Sequence, residues 1–414
     1  MSDRTDAAAT VRVAIIVLAF CFVANMLVRG VLEAYMVFLL PISADFGWTR
    51  AGVSTVYSLA FLVIGFSGPV VGILFDRWGP LRLYLCGMLA AGAACMLAGH
   101  VQTLLQLHLV LGVSMGIAGA CVGVVPMAAF LRRWFRAKLN TALAVGHTSQ
   151  GVAMLLLVPS SQYLIEGVGW RNAYAVLAVV LVLGLLAMAA LVPWRRAEAG
   201  LDGAPPRAPT PGVEALPEHG PGVSEAIRMP AFWGIIASYL FTGIGMFTVS
   251  LQGPAYLISV GYTATAAAEA FGLIGLLVPV GMISFGWLGD RIGRRRVVLI
   301  SYAGTLIGIA GLHFLRDGPS LAALALFVVG FGLTFGSRGP AISAIAASLF
   351  GGRSFGRIYG LVSIGMGGGS ATGAWLGGFL LDSTGDYVVG QSVAMLAVVI
   401  GATPFVVIRA IARY

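Results

Sequence analysis

The chain has 414 residues, of which 59% are hydrophobic and only 10% are charged. A soluble globular domain carries about 25% charged residues, so this composition argues against a water-soluble fold. The net charge of +9 would favour a nucleic-acid partner only if the basic residues formed one exposed face. The apolar content and the 57 glycines instead predict closely packed membrane helices, with the lipid bilayer as surroundings and no nucleic acid as partner.

Long apolar segments divide the chain into twelve predicted spans, since a membrane-spanning helix needs about 20 mainly apolar residues. These segments are 13–40, 51–75, 83–100, 103–130, 139–165, 171–193, 231–258, 265–288, 297–315, 319–350, 357–381 and 387–408. Residues 194–230 are rich in proline and charge, which predicts an extended linker without a packed core. The predicted fold is therefore an all-α membrane protein with a six-helix first half (1–193) and a six-helix second half (231–414).

The basic residues are distributed unequally between the two sides of these spans. Of the 25, we assign 20 to the termini and to alternate short loops, and three to the other side, namely Arg50, Arg171 and Arg316. Arg29 and Arg338 lie at membrane depth. Because basic loops stay in the cytoplasm, both termini are predicted to be cytoplasmic, in a bacterial-type inner membrane.

The strongest internal signal is a motif that occurs on both sides of the linker. The sequence GILFDRWG at 72–79 follows the second predicted span, and GWLGDRIGRRR at 286–296 follows the eighth. The separation of the two copies is close to half the length of the chain. Two repeated halves of this kind place a binding site between them, near the midplane of the membrane.

With this paired motif the chain resembles the major facilitator superfamily, in which a GxxxDRxGR[RK] loop recurs between the second and third and the eighth and ninth helices. The second copy matches fully, whereas Pro80 and Leu81 replace the usual basic residues in the first. In that superfamily the loop charges close the cytoplasmic side. The resemblance implies the same gating role for two pairs of residues, Asp76 with Arg77 and Asp290 with Arg291.

Within the superfamily the chain is similar to the monocarboxylate porters and to the bacterial oxalate/formate exchangers. The residues that carry this resemblance are Arg29, Trp134, Phe135, Lys138, Gly169, Trp170, Arg171, Arg338, Gly339 and Pro340. In such porters a cationic residue, often on the eighth helix, pairs with the substrate carboxylate. Residues 265–288 here contain no Arg or Lys. The resemblance therefore implies an anion carrier but does not supply the identity of the anion.

Two arginines are the leading candidates for substrate binding. A charge at membrane depth costs roughly 2.5–3.5 kcal/mol, so Arg29 and Arg338 should face protein or water and have a purpose. Because they belong to different halves, one anion between the halves would contact both. A guanidinium group also matches a carboxylate in a bidentate geometry that lysine lacks.

Other polar residues extend this hypothesis. Asn25, Arg29 and Glu33 recur every four residues, which places them on one helical face. Asn25 is a predicted substrate contact, and Glu33 is the predicted proton-coupling residue, because a bound anion would displace it from Arg29 and leave it ready to take up a proton. His147 and Gln252 are further candidate substrate contacts. For each residue a purely structural role is the competing interpretation.

The sequence contains no P-loop, nucleophile elbow, metal-ligand set or catalytic carboxylate pair, so an enzyme, a bound metal or cofactor and an ATP-driven pump are not expected. We therefore expect a monomeric secondary transporter of a small organic anion, coupled to protons and working by alternating access. Anion exchange and the transport of a neutral or drug-like solute are the alternatives within transporters. A receptor that has kept a transporter fold is the alternative outside them.

Overall fold

A computed structural model describes residues 2–135, 139–199, 220–352 and 354–413. Lys138 and most of the predicted linker, residues 200–219, lie outside this set. Within the described residues the chain is helical and contains no β-strand, which confirms the predicted all-α fold class. Nine of the described helices are long and apolar enough to cross a membrane.

The helices follow the predicted spans. In the first half the helices are Ser2–Phe46 for the first span, Arg50–Ala98 for the second and third, four short segments for the fourth (Leu104–Leu107, His108–Ser114, Met115–Val122 and Val124–Arg132), and Leu139–Leu191 for the fifth and sixth. In the second half they are Pro230–Ser259 for the seventh span, Ala264–Ile292 for the eighth and Arg294–His313 for the ninth. The tenth span consists of Leu321–Phe335 and Arg338–Phe350, the eleventh of Phe355–Thr384 and the twelfth of Tyr387–Val407. Short helices lie at Trp194–Ala199, Val223–Arg228 and Arg409–Ala412. Every predicted span has a helical counterpart. That all twelve cross a membrane, and that they form two separate bundles, stay predictions.

Two glycines at the same position of the two motif copies make the turns that follow the second and eighth spans. Gly79 has a φ of 76° and Gly293 a φ of 92°. Positive φ values of this kind bring the Cβ of an L-residue against its own backbone, so glycine is the residue that accepts them without strain. The glycine recurs in both copies of the motif because each half needs a tight turn of the backbone at this point.

The fourth and tenth spans are interrupted partway along, again at matching positions. The break in the fourth falls at Gly123, whose ψ of −159° is extended, and the break in the tenth falls between Phe335 and Arg338. Each is followed by a proline, Pro126 and Pro340, and these two are offset along the chain exactly as far as Gly79 and Gly293 are. Proline has no N–H to donate, so the carbonyl four residues earlier loses its helical partner. The kinks expected from these prolines are present in the structure.

We name the two ends of the helix bundle from the positions of the chain termini. The terminal end is the end at which the first span begins and the twelfth ends, and the far end is the opposite one. The repeated motif loops lie at the terminal end. The short connections around Gly47, Gly261 and Gly385 lie at the far end.

The turn at Gly293 gives a first test of this architecture. Gly293→Ala should lower the melting temperature of the purified protein in detergent, because an alanine at positive φ costs about 1–2 kcal/mol. Gly286→Ala is the matched control, since Gly286 is helical and a Cβ there would have no neighbour within 4 Å. That control should leave the melting temperature unchanged or raise it slightly. Equal losses in both variants would contradict the strained-turn explanation.

Candidate functional site

A buried carboxylate joins three spans of the first half. Glu33 has 0% exposure. Its Oε2 accepts a hydrogen bond from the Tyr57 hydroxyl at 2.9 Å, and its Oε1 accepts one from Nε2 of Gln150 at 3.1 Å. Nε of Arg29 lies 3.1 Å from the same Oε1, one helical turn away. Glu33 therefore links the first, second and fifth spans, and its charge is balanced by Arg29.

Arg29 has one edge engaged and one edge available. Its Nε faces Glu33, and its guanidinium carbon lies 4.9 Å from the centre of the Phe61 ring. Neither Nη1 nor Nη2 donates a hydrogen bond to any residue that the structure describes, and 21% of the side chain is exposed. The two terminal nitrogens of a guanidinium are the ones that grip a carboxylate in the bidentate mode. The charge of Arg29 is thus balanced by Glu33, and its two Nη groups have no hydrogen-bond partner among the described residues.

Arg338 is placed differently, inside the second half. Only 3% of it is exposed. Its Nη1 donates to the Thr305 hydroxyl at 2.8 Å, its Nη2 lies 3.2 Å from the sulfur of Met246, and its guanidinium carbon stacks 4.6 Å from the centre of the Tyr302 ring. Its Nε has no partner among the described residues, and none of their carboxylates lies within ion-pair distance. In this conformation Arg338 points towards the ninth span.

Two of the other candidates bind protein groups. Nδ2 of Asn25 donates at 3.3 Å to the carbonyl of Val122, the group that Pro126 leaves without a helical partner. Nε2 of Gln252 donates at 3.0 Å to the hydroxyl of Ser54, across the two halves. Both amides therefore bind protein groups on other helices in this conformation. The spacing of residues along the sequence did not reveal these contacts.

His147 is the remaining candidate. It lies in the fifth span, one turn before Gln150, and its Nε2 is buried without a hydrogen-bond partner among the described residues. Gln150 donates a hydrogen bond to Glu33, but no hydrogen bond among the described residues joins His147 itself to Arg29 or Glu33. This ring nitrogen of His147 is therefore an unsatisfied polar atom inside the protein.

Aromatic rings from both halves meet beside Arg29. The centre of the Phe61 ring is 4.7 Å from that of Phe247 in the seventh span and 4.8 Å from that of Tyr57. Phe335 of the tenth span lies 6.2 Å from Phe247. Offset or tilted rings at these distances attract one another and exclude water. The wall next to the free edge of Arg29 is therefore apolar and is shared between the halves.

The two motif loops at the terminal end make no bond to each other among the described residues. The predicted gating residues Asp76, Arg77, Asp290 and Arg291 are all exposed. No ion pair or hydrogen bond within the described part of the chain joins the two motif loops, and the guanidinium of Arg291 stacks instead on Trp287 of its own helix, 3.8 Å from the ring centre. A cavity of about 590 Å³ lies at this end beside Asp76, and its lining comes from the first half alone. Its lining does not include Arg29 or Glu33.

The far end is closed by a carboxylate of one half bound to a helix of the other. Asp382, at the end of the eleventh span, accepts hydrogen bonds from the backbone N–H groups of Arg50 at 3.1 Å and Ala51 at 2.7 Å, which begin the second span. An anion at a helix N-terminus is favoured by the unsatisfied N–H groups and by the helix dipole. Two turns further in, the Ser58 hydroxyl donates to the Ala371 carbonyl at 2.6 Å.

The opposite edge of the interface is closed by the fifth and eighth spans. The Thr265 hydroxyl donates to Glu166 at 2.9 Å, and the Tyr163 hydroxyl donates to Glu269 at 2.6 Å. Nearer the middle, Gly151 and Gly275 touch so closely that a Cβ on either would lie 2.5 Å from the carbonyl oxygen of the other. Sequence analysis missed the contacts of Asp382 and Glu166, because their partners are remote in sequence.

Comparison with known proteins identifies the fold. The Major Facilitator Superfamily model matches residues 18–337 and 270–413. The chain belongs to this superfamily. It is therefore a multi-pass membrane transporter, as its repeated motif and its polytopic helices indicated.

The chain is also similar to individual members of the superfamily. It is 28% identical to "Monocarboxylate transporter 13" of Rattus norvegicus over 90% of this chain and 83% of that protein. It is 27% identical to "Monocarboxylate transporter 11" of Homo sapiens over 90% of this chain and 78% of that protein. A bacterial relative, the "Uncharacterized MFS-type transporter YhjX" of Escherichia coli (strain K12), is 24% identical over 82% of each. The predicted relationship to monocarboxylate porters is confirmed.

The contact of Asp382 with the second span predicts how the far end is held shut. Asp382→Ala should increase the reactivity of a cysteine introduced at Ala51 towards a hydrophilic maleimide, because the closed far end loses two charge-assisted hydrogen bonds. We expect about a tenfold increase, since each such bond contributes about 1.5–3 kcal/mol before solvent screening reduces it.

Asp386→Ala is the matched control for this experiment. Asp386 also caps a helix, but its Oδ1 accepts from the N–H of Val388 in its own twelfth span, at 2.9 Å. This variant loses a helix cap, which costs about 1 kcal/mol, and no contact between the halves. If the two variants exposed position 51 equally, Asp382 would have no specific part in closing the far end.

Proposed function

We propose that this transporter carries a small organic monoanion and that Arg29 binds its carboxylate. The observation that carries the proposal is the state of the Arg29 guanidinium, which is charge-balanced through Nε yet has both Nη groups free of hydrogen bonds to the described residues. The two Nη groups are not among the buried atoms of this side chain, so a ligand or water can reach them. The relatives named as monocarboxylate transporters support the same ligand class.

The surroundings of Arg29 favour one carboxylate and a short apolar tail. One guanidinium edge offers donors for one carboxylate, while Phe61 and Phe247 form an apolar wall beside it. The eighth span has no basic residue before Arg291, so the charge that recognises the anion comes from the first span.

The remaining candidate residues have supporting roles in this proposal. Arg338 contributes positive potential from the second half and would contact the anion only in a conformation in which it leaves Thr305. His147, with its free ring nitrogen, is the second proposed substrate contact on the first half. Asn25 and Gln252 hold helices in place around the site and contact the anion only if those bonds are exchanged.

Alternating access is the proposed mechanism of transport. In the conformation described here the hydrogen bonds between the halves lie in the far half of the interface, whereas no such bond joins the described motif residues at the terminal end. We infer that the opposite conformation reverses this pattern. The far-end carboxylates release their helices, and Asp76, Arg77, Asp290 and Arg291 close the terminal end, which the positive charge of the loops assigns to the cytoplasm of the inner membrane.

Proton coupling follows from the charges of the site. Arg29 and Glu33 balance each other, so an anion that takes over the Arg29 guanidinium leaves the buried carboxylate of Glu33 without its charge partner. An unpaired carboxylate of this kind costs several kcal/mol in a low-dielectric interior. A proton on Glu33 removes that charge while the anion stays paired with Arg29. We therefore propose one proton carried with each anion.

Anion exchange is the second candidate, and one observation favours it. Glu33 is completely buried and bound by Arg29, Tyr57 and Gln150, so in this conformation it has no open path to water. If it never exchanges its proton, the transporter would move one anion inwards for each anion that it moves outwards. Proton-driven accumulation distinguishes the two mechanisms.

The role of Arg29 is tested by Arg29→Ala in proteoliposomes with labelled lactate, pyruvate, formate and oxalate. We expect the uptake rate of the transported monocarboxylates to fall about 10- to 100-fold, which corresponds to the loss of one charge-assisted, bidentate contact. Arg316→Ala removes an equivalent charge from an exposed far-end position and should transport normally. Normal uptake by correctly folded Arg29→Ala would refute the assignment.

The role of Glu33 is tested by Glu33→Gln, which keeps the shape of the side chain and its acceptor for Tyr57. Under an inwardly directed proton gradient the variant should exchange labelled for unlabelled anion but should no longer accumulate the anion. If accumulation continued at the rate of the unaltered protein, the proton would have to travel by another group. If the unaltered protein itself exchanged but never accumulated, the exchange mechanism would replace symport.

A further inference from the structure

A small cavity with a mainly apolar lining and a few polar groups lies behind the far-end contact between the second and eleventh spans. Its volume is about 20 Å³, and its lining includes Gln252, Tyr256, Gly377, Leu381, Tyr387 and Gln391, from the seventh, eleventh and twelfth spans. A site of about 10–15 Å³ or more, on the same water-sized measure, is enough for one water molecule. The size therefore admits a water molecule and little else.

Two buried amides in its lining have polar atoms that no protein group satisfies. Gln391 is 4% exposed, and its amide lies close to the Tyr256 hydroxyl. Neither its Nε2 nor its Oε1 makes a well-aligned hydrogen bond to a described residue. Gln252 is also 4% exposed, and its Oε1 lacks a partner as well. Leaving one such group unsatisfied in the interior costs about 1–3 kcal/mol. Three unsatisfied atoms around one small cavity indicate that something polar binds there.

We propose that this cavity binds one ordered water molecule, which accepts a hydrogen bond from Nε2 of Gln391 and donates one to Oε1 of Gln252. A water molecule can do both at once, and buried waters typically make about three such bonds. The chemistry fits a metal cation less well. The one carboxylate in the lining belongs to Asp386, which already accepts from Val388 as a helix cap.

The water would make Gln391 a positioning residue for the far-end closure. Gln252 is held at one end by its bond to Ser54 of the other half, at 3.0 Å, and at the other end by the water. Gln391 lies on the twelfth span and donates to no residue of the first half that the structure describes, yet through the water it would fix the Gln252 amide that crosses the interface. This inference concerns the closure of the far end and does not depend on the nature of the substrate.

Radiolytic hydroxyl-radical labelling tests the water directly, since a radical formed from a bound water attacks the side chains that touch it. Tyr256 lines the cavity and is 4% exposed, whereas Tyr302 does not line it and is 2% exposed. In the unaltered protein Tyr256 should be modified about fivefold faster than Tyr302, which lies deeper within the protein. Equal rates would overturn the proposal, whatever the behaviour of any variant.

The variant Gln391→Leu tests the positioning role. It should reduce the modification of Tyr256 to the level of Tyr302 and increase the reactivity of a cysteine at Ala51 several-fold. Gln162→Leu is the matched control for the labelling, because Gln162 is similarly buried, at 6%, but lines another region and donates to Glu166 at 3.0 Å. Unchanged Tyr256 labelling in Gln391→Leu would overturn the water bridge. Labelling that varied when choline replaced sodium would show that the occupant is a cation, which would overturn it as well.

Discussion

One buried carboxylate organises the centre of the first half. Taking the Glu33 carboxylate out of water costs several kcal/mol. Three partners on three spans, Arg29, Tyr57 and Gln150, offset this cost. The same interaction fixes the rotation of the Arg29 side chain. Nε is the Arg29 nitrogen that lies against Glu33, and neither Nη group makes a hydrogen bond to a described residue. The proposed substrate contact, the charge balance and the proton coupling all depend on this arrangement.

The two halves share the residues that shape the backbone but differ at the candidate site. Gly79 and Gly293 make the same turn, and Pro126 and Pro340 interrupt the same span, with one common offset between the halves. At that offset Arg29 corresponds to Gly243 and Glu33 to Phe247. The second half thus presents a small residue and an aromatic ring where the first presents an ion pair. A binding site with one charged side and one apolar side is what an organic monoanion with a short tail requires.

The sequence predicted the fold in detail because membrane helices follow simple rules. Apolar length located the spans, and the repeated motif located the matching loops of the two halves. The spacing of Arg29 and Glu33 predicted their ion pair, since residues four apart meet on one helical face. These features depend on contacts that are local in the chain.

Other parts of the site depend on contacts between remote segments, and no local pattern could reveal them. The sequence did not show that Asn25 would satisfy the carbonyl of Val122, or that Arg338 would turn towards Thr305 in the ninth span. In the sequence Asp382 is only a charge near a helix end. Its bond to the second span appears only when both halves are assembled.

The most direct test of the central claim is the structure of the purified protein in saturating lactate, determined at a resolution that shows the ligand. The account predicts ligand density within hydrogen-bond distance of Nη1 and Nη2 of Arg29, beside the ring of Phe61. A carboxylate bound elsewhere, with both Nη groups of Arg29 engaged by protein, would contradict it.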